Sequence, residues 1–303
     1  MTAEVVPYAG WQKCVRLRNA EVDLVMTTDV GPRVIRFGFT GGPNEFVEYP
    51  DQVGQTGGTA YRSYGGHRLW ISPEVAGRTN HPDNNPVGWK EENGEVTLIA
   101  PVEKETSLQK QLRVVLDKDR NHVRVIHKIT NCSSSDATLA PWAVSVLAPG
   151  GRAIVPQEPF VAHADRVLPV RPVVLWGYTQ MKDPRWTWGN RFIVLRQDSA
   201  VEVPQKMGAL VSEGWAAYAN GDRLFVKRFP FVQGADYPDF GCNLELFTNN
   251  RMLEVESLGP LSTLKKGESV SHQEDWYLLR GIKIGASDEA IASAFASVLS
   301  ALS

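Results

Sequence analysis

The sequence predicts an all-β fold, either a large sandwich or a barrel, that ends in one helix. Apolar and polar residues alternate with a period of two along most of the 303 residues. Only the last segment has helical periodicity. Turn dipeptides separate the alternating segments at Asn93-Gly94, Asn220-Gly221, Asn249-Asn250 and Lys266-Gly267. Many short strands with regularly spaced turns are typical of sandwiches and barrels.

The predicted strands run along the whole chain. Residues 10–39 alternate between two faces, and residues 110–131 form two strands joined at Asp117–Asn121, which is a hairpin signal. Later alternating segments cover residues 192–197, 214–229, 242–259 and 271–285.

The C-terminal segment predicts a helix over residues 287–302. Ser287 is the N-cap candidate, and acidic residues occupy the first turn. Because it has no basic face, we expect it to pack on the protein and not to anchor in a membrane. Its apolar stripe consists of Ile291, Phe295, Val298, Leu299 and Leu302. No internal repeat or long linker interrupts the chain, so we expect one domain over residues 1–303.

Composition narrows the range of partners. The net charge is −2 and no basic run is present, which argues against nucleic acid. No apolar run reaches the roughly 18 residues of a membrane span, and the first residues lack the pattern of a secretion signal. Cys14, Cys132 and Cys242 are far apart without a CxxC pair, which argues against structural zinc or disulfides. We therefore expect a cytoplasmic protein, monomeric or homodimeric, without a metal ion.

Two carboxylates in "RMLEVESLGPL" are the strongest local signal for chemistry. Alternate residues of a strand share a face, so Glu254 and Glu256 point one way, roughly 7 Å apart, while Leu253 and Val255 point into a core. Repulsion between two such carboxylates raises one pKa toward the value that acid–base catalysis needs. The alternative is a solvated acidic face of a half-exposed strand.

A second strand, "SHQEDWYLL", carries His272 and Glu274 on one face. These residues could join the same site. The alternative is an ordinary edge strand with a locally hydrogen-bonded His.

The segment "YGGHRLWISPE", residues 64–74, combines residue types that suit a site better than a core strand. The two glycines permit a sharp turn or a close approach to a ligand. His67 could act as an acid or a hydrogen-bonding group, Arg68 could pair with Glu74, and Trp70 could stack on a sugar or fill the core. A structured loop with a satisfied His is the alternative.

Clustered tryptophans are typical of both carbohydrate clefts and sandwich cores. Trp176, Trp186 and Trp188 lie in "LWGYTQMKDPRWTWGN", and Trp215 follows. The loop "QGADYPDFG" offers Asp236 and Asp239 for sugar hydroxyls, or it forms a simple Pro-Asp turn.

Three segments together resemble the galactose mutarotase-like superfamily, and in particular its uncharacterised branch labelled DUF4380. They are "YGGHRLWISPE", "KMGALVSEGWAAY" and "LEVESLGPLSTLKKGESVSHQEDWYL", and the similarity extends from about residue 19 to residue 279. The fold that this resemblance implies is a β-supersandwich, in agreement with the periodicity.

The resemblance implies an aldose 1-epimerase. In such enzymes a Glu removes the anomeric hydroxyl proton, a His protonates the ring oxygen, and the ring opens and recloses without a cofactor. The matching position for the base is Glu256, with Glu254 as its alternative or partner. His67 matches a substrate-binding His, and Arg33 and Arg62 are further candidates for hydroxyl contacts.

The sequence departs from the family where the acid His is expected. The segment "ITNCSSSDATLAPWAVSVLAPGG" contains no His, and Trp142 and Ser145 lie there. The acid must then be another residue, such as His67 or His272, or the epimerase chemistry is absent. Two other functions stay open: a carbohydrate-binding protein without catalysis, and a carbohydrate hydrolase or lyase that would use Glu254, Glu256 and Glu274.

Overall fold

Two antiparallel β-sheets packed face to face make up most of the molecule. The computed structural model describes residues 2–302, with strands nearly throughout and one substantial helix near the end. The predicted all-β sandwich is therefore confirmed.

The first sheet contains eleven strands. Their bounds are Glu4–Tyr8 (β1), Trp11–Arg18 (β2), Val22–Thr27 (β3), Arg33–Phe39 (β4), Gly66–Ser72 (β5), Ala137–Leu147 (β10), Val173–Leu175 (β12), Gln205–Ala209 (β15), Leu244–Thr248 (β18), Leu253–Leu258 (β19) and Ser262–Leu264 (β20). Ten of them follow the order β1-β2-β3-β4-β5-β10-β19-β18-β15-β12, and β20 pairs with β10.

The second sheet contains ten strands. Their bounds are Gly88–Glu92 (β6), Glu95–Ile99 (β7), Leu108–Leu116 (β8), His122–Asn131 (β9), Arg152–Pro156 (β11), Trp186–Trp188 (β13), Phe192–Arg196 (β14), Trp215–Asn220 (β16), Arg223–Arg228 (β17) and Ser269–Arg280 (β21). The order is β13-β14-β11-β16-β17-β21-β9-β8-β7-β6, and the predicted hairpin of β8 and β9 is present.

The main hydrophobic core fills the space between the sheets. Phe46 packs edge to face on Phe225 and Trp276, with ring centroids 6.0 Å and 5.6 Å away. Leu253 and Val255 of β19 belong to this core, as their alternation predicts. The opposite face of β19, with Glu254 and Glu256, therefore lies on the outer side of the first sheet.

Helix α2, Asp288–Ala301, covers the outer side of the second sheet. The Ser287 side chain accepts a hydrogen bond from the Ala290 backbone N–H, so the predicted N-cap is present. The Phe295 ring stacks on Trp215 with centroids 4.5 Å apart. Trp215 thus belongs to the packing of the helix and not to a carbohydrate cleft.

A short segment, Pro238–Gly241 (α1), is a turn that contains a single helical hydrogen bond, from the Cys242 N–H to the Pro238 carbonyl. Asp239 and Phe240 have φ values of 51° and 61°, which lie in the left-handed region. It is too short and irregular to position other elements.

The glycine pair before β5 serves the backbone and not a ligand. Gly65 has a φ of 94°, and a Cβ atom there would lie 1.9 Å from the Val47 carbonyl oxygen. At Gly66, with a φ of 76°, a Cβ would lie 2.5 Å from the Val34 carbonyl oxygen. Only glycine permits this approach of β5 to its neighbours.

Candidate functional site

A cavity of about 500 Å³ opens on the outer side of the first sheet. We call it the carboxylate cavity. Its base comes from β5, β10, β19 and β15, which contribute Arg68, Trp70, Trp142, Glu254, Glu256 and Lys206. The volume is within the usual range of ligand pockets, about 300–1,000 Å³.

The strand register brings these side chains together. Arg68 is opposite Val144, which is opposite Glu256, and Glu256 is in turn opposite Glu245 of β18. A charged row therefore crosses the sheet beneath the cavity. Trp70 and Trp142 form the next row, edge to face with ring centroids 5.3 Å apart.

Hydrogen-bond donors contact only one of the two carboxylate oxygens of Glu256. Its Oε2 accepts hydrogen bonds from Trp142 Nε1 at 2.8 Å and from Lys206 Nζ at 3.3 Å. Its Oε1 is buried and has no hydrogen-bond partner among residues 2–302. A carboxylate anchored through one oxygen, with the other free, is suited to accept a proton from a bound molecule.

Lys206 is the cation of this group. Its Nζ also lies 2.7 Å from Glu245 Oε2, and it sits 4.6 Å from the Trp142 ring centroid. Burial opposes the charged form, but the carboxylates of Glu256 and Glu245 raise the pKa of Lys206 above its usual range. Lys206 therefore stays protonated and places one positive charge between the carboxyls of Glu245 and Glu256.

Glu254 has different surroundings although it is two residues away on the same face. Burial raises its pKa to about 8, and the charge of Glu256 adds to the effect. Arg68 and Lys206 lower the pKa of Glu254 but do not compensate for burial. Glu254 therefore favours its protonated form more strongly than an ordinary carboxyl does.

Arg68 provides unsatisfied donors at the same place. The guanidinium lies over the Trp70 ring, 4.1 Å from its centroid, and Nη2 donates to the Tyr61 hydroxyl. Nε and Nη1 are buried without a hydrogen-bond partner in the described part of the chain. Asp83 and Glu254 are the carboxyls that raise the pKa of Arg68, and no ion pair with Glu74 is present within residues 2–302.

The candidate His residues lie on the other side of the sheet. His67 and His272 are buried in the interior between the sheets, together with Glu274. Because Arg68 and Trp70 point to the cavity, alternation turns the neighbouring His67 the opposite way. The expectation that His67 faces a cleft with Arg68 is therefore wrong for geometric reasons.

These interior residues form a satisfied hydrogen-bond network. His127 Nδ1 donates to the His272 carbonyl at 2.9 Å, which leaves its Nε2 to accept from His67 Nε2 at 2.7 Å. The Ser145 hydroxyl then donates to His67 Nδ1. Burial lowers the pKa of His67 and lowers those of His127 and His272 to about 3, so all three rings are neutral.

Glu274 forms an ion pair within the interior network. Lys227 Nζ lies 2.8 Å from its Oε1, and Trp276 Nε1 donates to its Oε2 at 2.7 Å. One carboxylate oxygen of Glu274 and one ring nitrogen each of His67 and His127 lie within 4.8 Å of one another, a spacing that a metal ion could bridge. Lys227 already supplies a positive charge there, and the imidazole nitrogens already have partners.

The remaining predicted residues do not line the carboxylate cavity. Arg33 is buried beside Arg68, where it donates to the Ser63 and Gly65 carbonyls and pairs with Asp83 at 2.6 Å. Arg62 donates to the Gly57 carbonyl at 2.6 Å. Both arginines hold the loop before β5 in place.

The tryptophan pair of β13 and the loop with Asp236 and Asp239 also lie outside the carboxylate cavity. Trp186 and Trp188 stack on each other at the edge of the second sheet, with centroids 4.8 Å apart. Asp239 accepts a hydrogen bond from the Ser72 hydroxyl at 3.1 Å. The backbone carbonyl of Asp236 accepts from the Leu261 N–H.

Sequence reasoning missed several cavity residues. Lys206 lies in the quoted segment "KMGALVSEGWAAY", but only the sheet register brings it to Glu256. The signal that could have found it is a lysine on an otherwise apolar strand. The other missed lining residues include Tyr49, Tyr61, Tyr178 and Arg251.

Known structures share this fold. A galactose mutarotase-like protein from Lactobacillus casei aligns with a TM-score of 0.58 at 12% identity, over 88% of this chain and 100% of that chain. A galactose mutarotase related enzyme from Lactobacillus acidophilus has a TM-score of 0.56 at 10% identity, over 91% and 98%. A galactose mutarotase-like protein from Clostridium acetobutylicum has a TM-score of 0.56 at 11% identity, over 92% and 98%.

The chain therefore has the galactose mutarotase-like fold, as the resemblance implied. No protein-family model and no curated protein matches the sequence. The narrower assignment to the branch labelled DUF4380 stays a prediction. Separately, none of the helices within residues 2–302 has the length and apolar character needed to cross a bilayer.

Proposed function

We propose that this protein interconverts the anomers of a reducing sugar in the carboxylate cavity, without a cofactor. Glu256 is the base and Glu254 is the acid. The observation that carries the proposal is that two buried carboxyls share one face of β19 while different neighbours surround them. Proteins that share a fold can have different activities, so the site and not the fold supports this function.

The proposed reaction needs one proton acceptor and one proton donor. Glu256 Oε1 takes the proton from the anomeric hydroxyl while protonated Glu254 gives its proton to the ring oxygen, and the C1–ring-oxygen bond breaks. The open aldehyde rotates about the C1–C2 bond. Reclosure on the other face returns the proton from the ring hydroxyl to Glu254 and the proton from Glu256 to the new anomeric oxygen.

This assignment gives Glu254 the task that the family resemblance gives to a His. A neutral, buried His67 or His272 on the far side of the sheet cannot contact a sugar in the cavity. Lys206 is a poor acid because its pKa is raised. We expect it instead to stabilise the charge on Glu256.

The remaining cavity groups fit a sugar. The unpartnered nitrogens of Arg68 can donate to hydroxyl oxygens, and the partly exposed Trp70 offers apolar surface to the ring. These groups would also serve a protein that binds sugar without catalysis. The experiment below separates the two functions.

Substitution of the base tests the proposal directly. We expect Glu256→Gln to reduce anomer interconversion by roughly 10²–10⁴-fold, the usual contribution of general base catalysis. The measurement is saturation-transfer NMR on a panel of free aldoses. The amide keeps an oxygen for the Trp142 and Lys206 hydrogen bonds, so the fold should persist.

Glu202→Gln is the matched control, because Glu202 is exposed and lies outside the carboxylate cavity. It should leave the rate unchanged. Full activity in Glu256→Gln would show that the base is another residue. Sugar binding without acceleration by the wild type would instead establish a binding protein.

A further inference from the structure

A second cavity lies directly beside the carboxylate cavity. Its volume is about 580 Å³, and Tyr61 and Trp70 line both cavities. We call it the side cavity. The Tyr61 side chain is 44% exposed, and its ring centroid lies 6.2 Å from that of Trp70. The two cavities therefore meet at a pair of aromatic rings and not at a wall of backbone.

The side cavity has polar groups that are not used by the protein itself. Asn80 lines it, and the Asn80 Oδ1 atom is buried without a hydrogen-bond partner among the described residues. A buried carbonyl oxygen without a donor costs free energy, roughly 1–3 kcal/mol, unless a bound molecule supplies the donor. Thr59 and Asn85 also line the cavity and can bond hydroxyl groups.

Within residues 2–302, ion pairs hold the charged residues of the lining except Lys104. Asp83 is paired with buried Arg33 at 2.6 Å, and Lys110 is paired with Glu103 at 2.7 Å. Because these charges already neutralise each other, the side cavity presents no free charge of one sign at those positions. It suits a neutral, hydroxyl-rich group better than a phosphate or a carboxylate.

We propose that the substrate is a reducing oligosaccharide that occupies both cavities. The reducing-end sugar lies against Glu254 and Glu256, and the next sugar crosses Tyr61 and Trp70 into the side cavity, where a hydroxyl donates to Asn80 Oδ1. Each cavity alone has the volume of an ordinary ligand pocket, about 300–1,000 Å³, so a monosaccharide fills only part of the surface available. The inference rests on the proposed function for its reaction, but not for its binding mode.

The test compares sugars that share one reducing end. Glucose, maltose, cellobiose and lactose all present a reducing-end glucose, and the disaccharides differ in the second sugar or in its linkage. Saturation-transfer NMR gives kcat/KM for anomer interconversion, and titration calorimetry gives Kd for each. We expect at least one disaccharide to exceed glucose about tenfold in kcat/KM or affinity.

Asn80→Ala tests whether the higher kcat/KM or affinity of the disaccharide comes from the side cavity. It should remove most of the disaccharide advantage and leave the glucose values unchanged, because Asn80 does not contact the reducing-end site. Asn190→Ala, an exposed asparagine outside both cavities, is the matched control and should change neither. Thermal unfolding of each variant reports whether the fold is intact.

The outcomes separate the two proposals. Disaccharide binding that depends on Asn80, without anomer interconversion of any sugar, would overturn the proposed function but support the extended site. Interconversion with glucose and every disaccharide within twofold of each other would overturn the extended site alone. The same holds if Asn80→Ala weakens glucose and disaccharides equally.

Discussion

Glu254 and Glu256 show how much the surroundings of one carboxyl can differ from those of the next. Both point from β19 into the carboxylate cavity, two residues apart. Glu256 receives hydrogen bonds from Trp142 and Lys206, whereas burial raises the pKa of Glu254 to about 8. An acid and a base can therefore be produced from one residue type on one strand.

The raised pKa of Glu254 predicts an alkaline limit to activity. Glu254 must hold a proton to act as the acid, so kcat/KM should fall as the pH rises through about 8. The measurement is the pH dependence of anomer interconversion between pH 6 and 10. Glu254→Gln should be slow throughout and lack this limb, and an unchanged limb in that variant would assign it to another group.

For individual residues, the sequence predicts the shared orientation of the two carboxyls correctly but misplaces His67. The pairing of Glu254 with Glu256 on one face follows from strand alternation alone. The same rule shows that His67 and Arg68, as neighbours on β5, cannot both face the cavity. The contact of Lys206 with Glu256 could not be predicted, because it depends on the order of β15, β18 and β19 in the sheet.

Among the elements, helix α2 is the one whose position the sequence predicts least well, although the sequence predicts its bounds closely. The apolar stripe shows which face is buried but not which sheet receives it. The structure packs Phe295 on Trp215 of the second sheet, on the side away from the carboxylate cavity.

This packing predicts a loss of stability without a loss of function. Phe295→Ala should lower the free energy of unfolding by about 3–5 kcal/mol, the usual cost of removing a buried aromatic ring. Urea denaturation measures the loss, and sugar titration should give an unchanged Kd at a temperature where the variant is folded. Ala296→Ser, on the exposed side of the same helix, is the control and should have little effect on either.

Strands β5, β9 and β21 meet in the interior network, and its neutral imidazoles predict a specific response to acid. The folded-state pKa of His127 is about 3, against about 6.5 in an unfolded chain. Between these values the unfolded state binds the extra proton, so this His costs stability as the pH falls. The dependence is about 1.4 kcal/mol per pH unit for one group.

The prediction concerns a difference, because raised carboxyl pKa values such as that of Glu254 act in the opposite direction. The free energy of unfolding of the wild type minus that of His127→Gln should decrease as the pH falls from 6.5 toward 4. Urea denaturation at several pH values gives this difference. For exposed His163→Gln it should stay constant, and a constant difference for His127→Gln would show that His127 is charged in the fold.

At the scale of the whole molecule, one core joins both sheets. Side chains from the first and second sheets, such as Phe37 of β4 and Phe225 of β17, pack together in this core. The expectation of one domain over residues 1–303 therefore predicts one unfolding transition. Urea denaturation curves from tryptophan fluorescence and far-ultraviolet circular dichroism should coincide, and two separate midpoints would divide the chain into two units.

Strand β19 and strand β5 each belong to two environments at once, with alternate side chains in the carboxylate cavity and in the interior. In a saturation-mutagenesis experiment scored separately for abundance and for activity, these strands should therefore show stripes. Substitutions at positions such as 255 and 67 would reduce abundance. Substitutions at positions such as 256 and 68 would reduce activity at normal abundance. The effect of a substitution would thus alternate between lost abundance and lost activity from one residue to the next along a single strand.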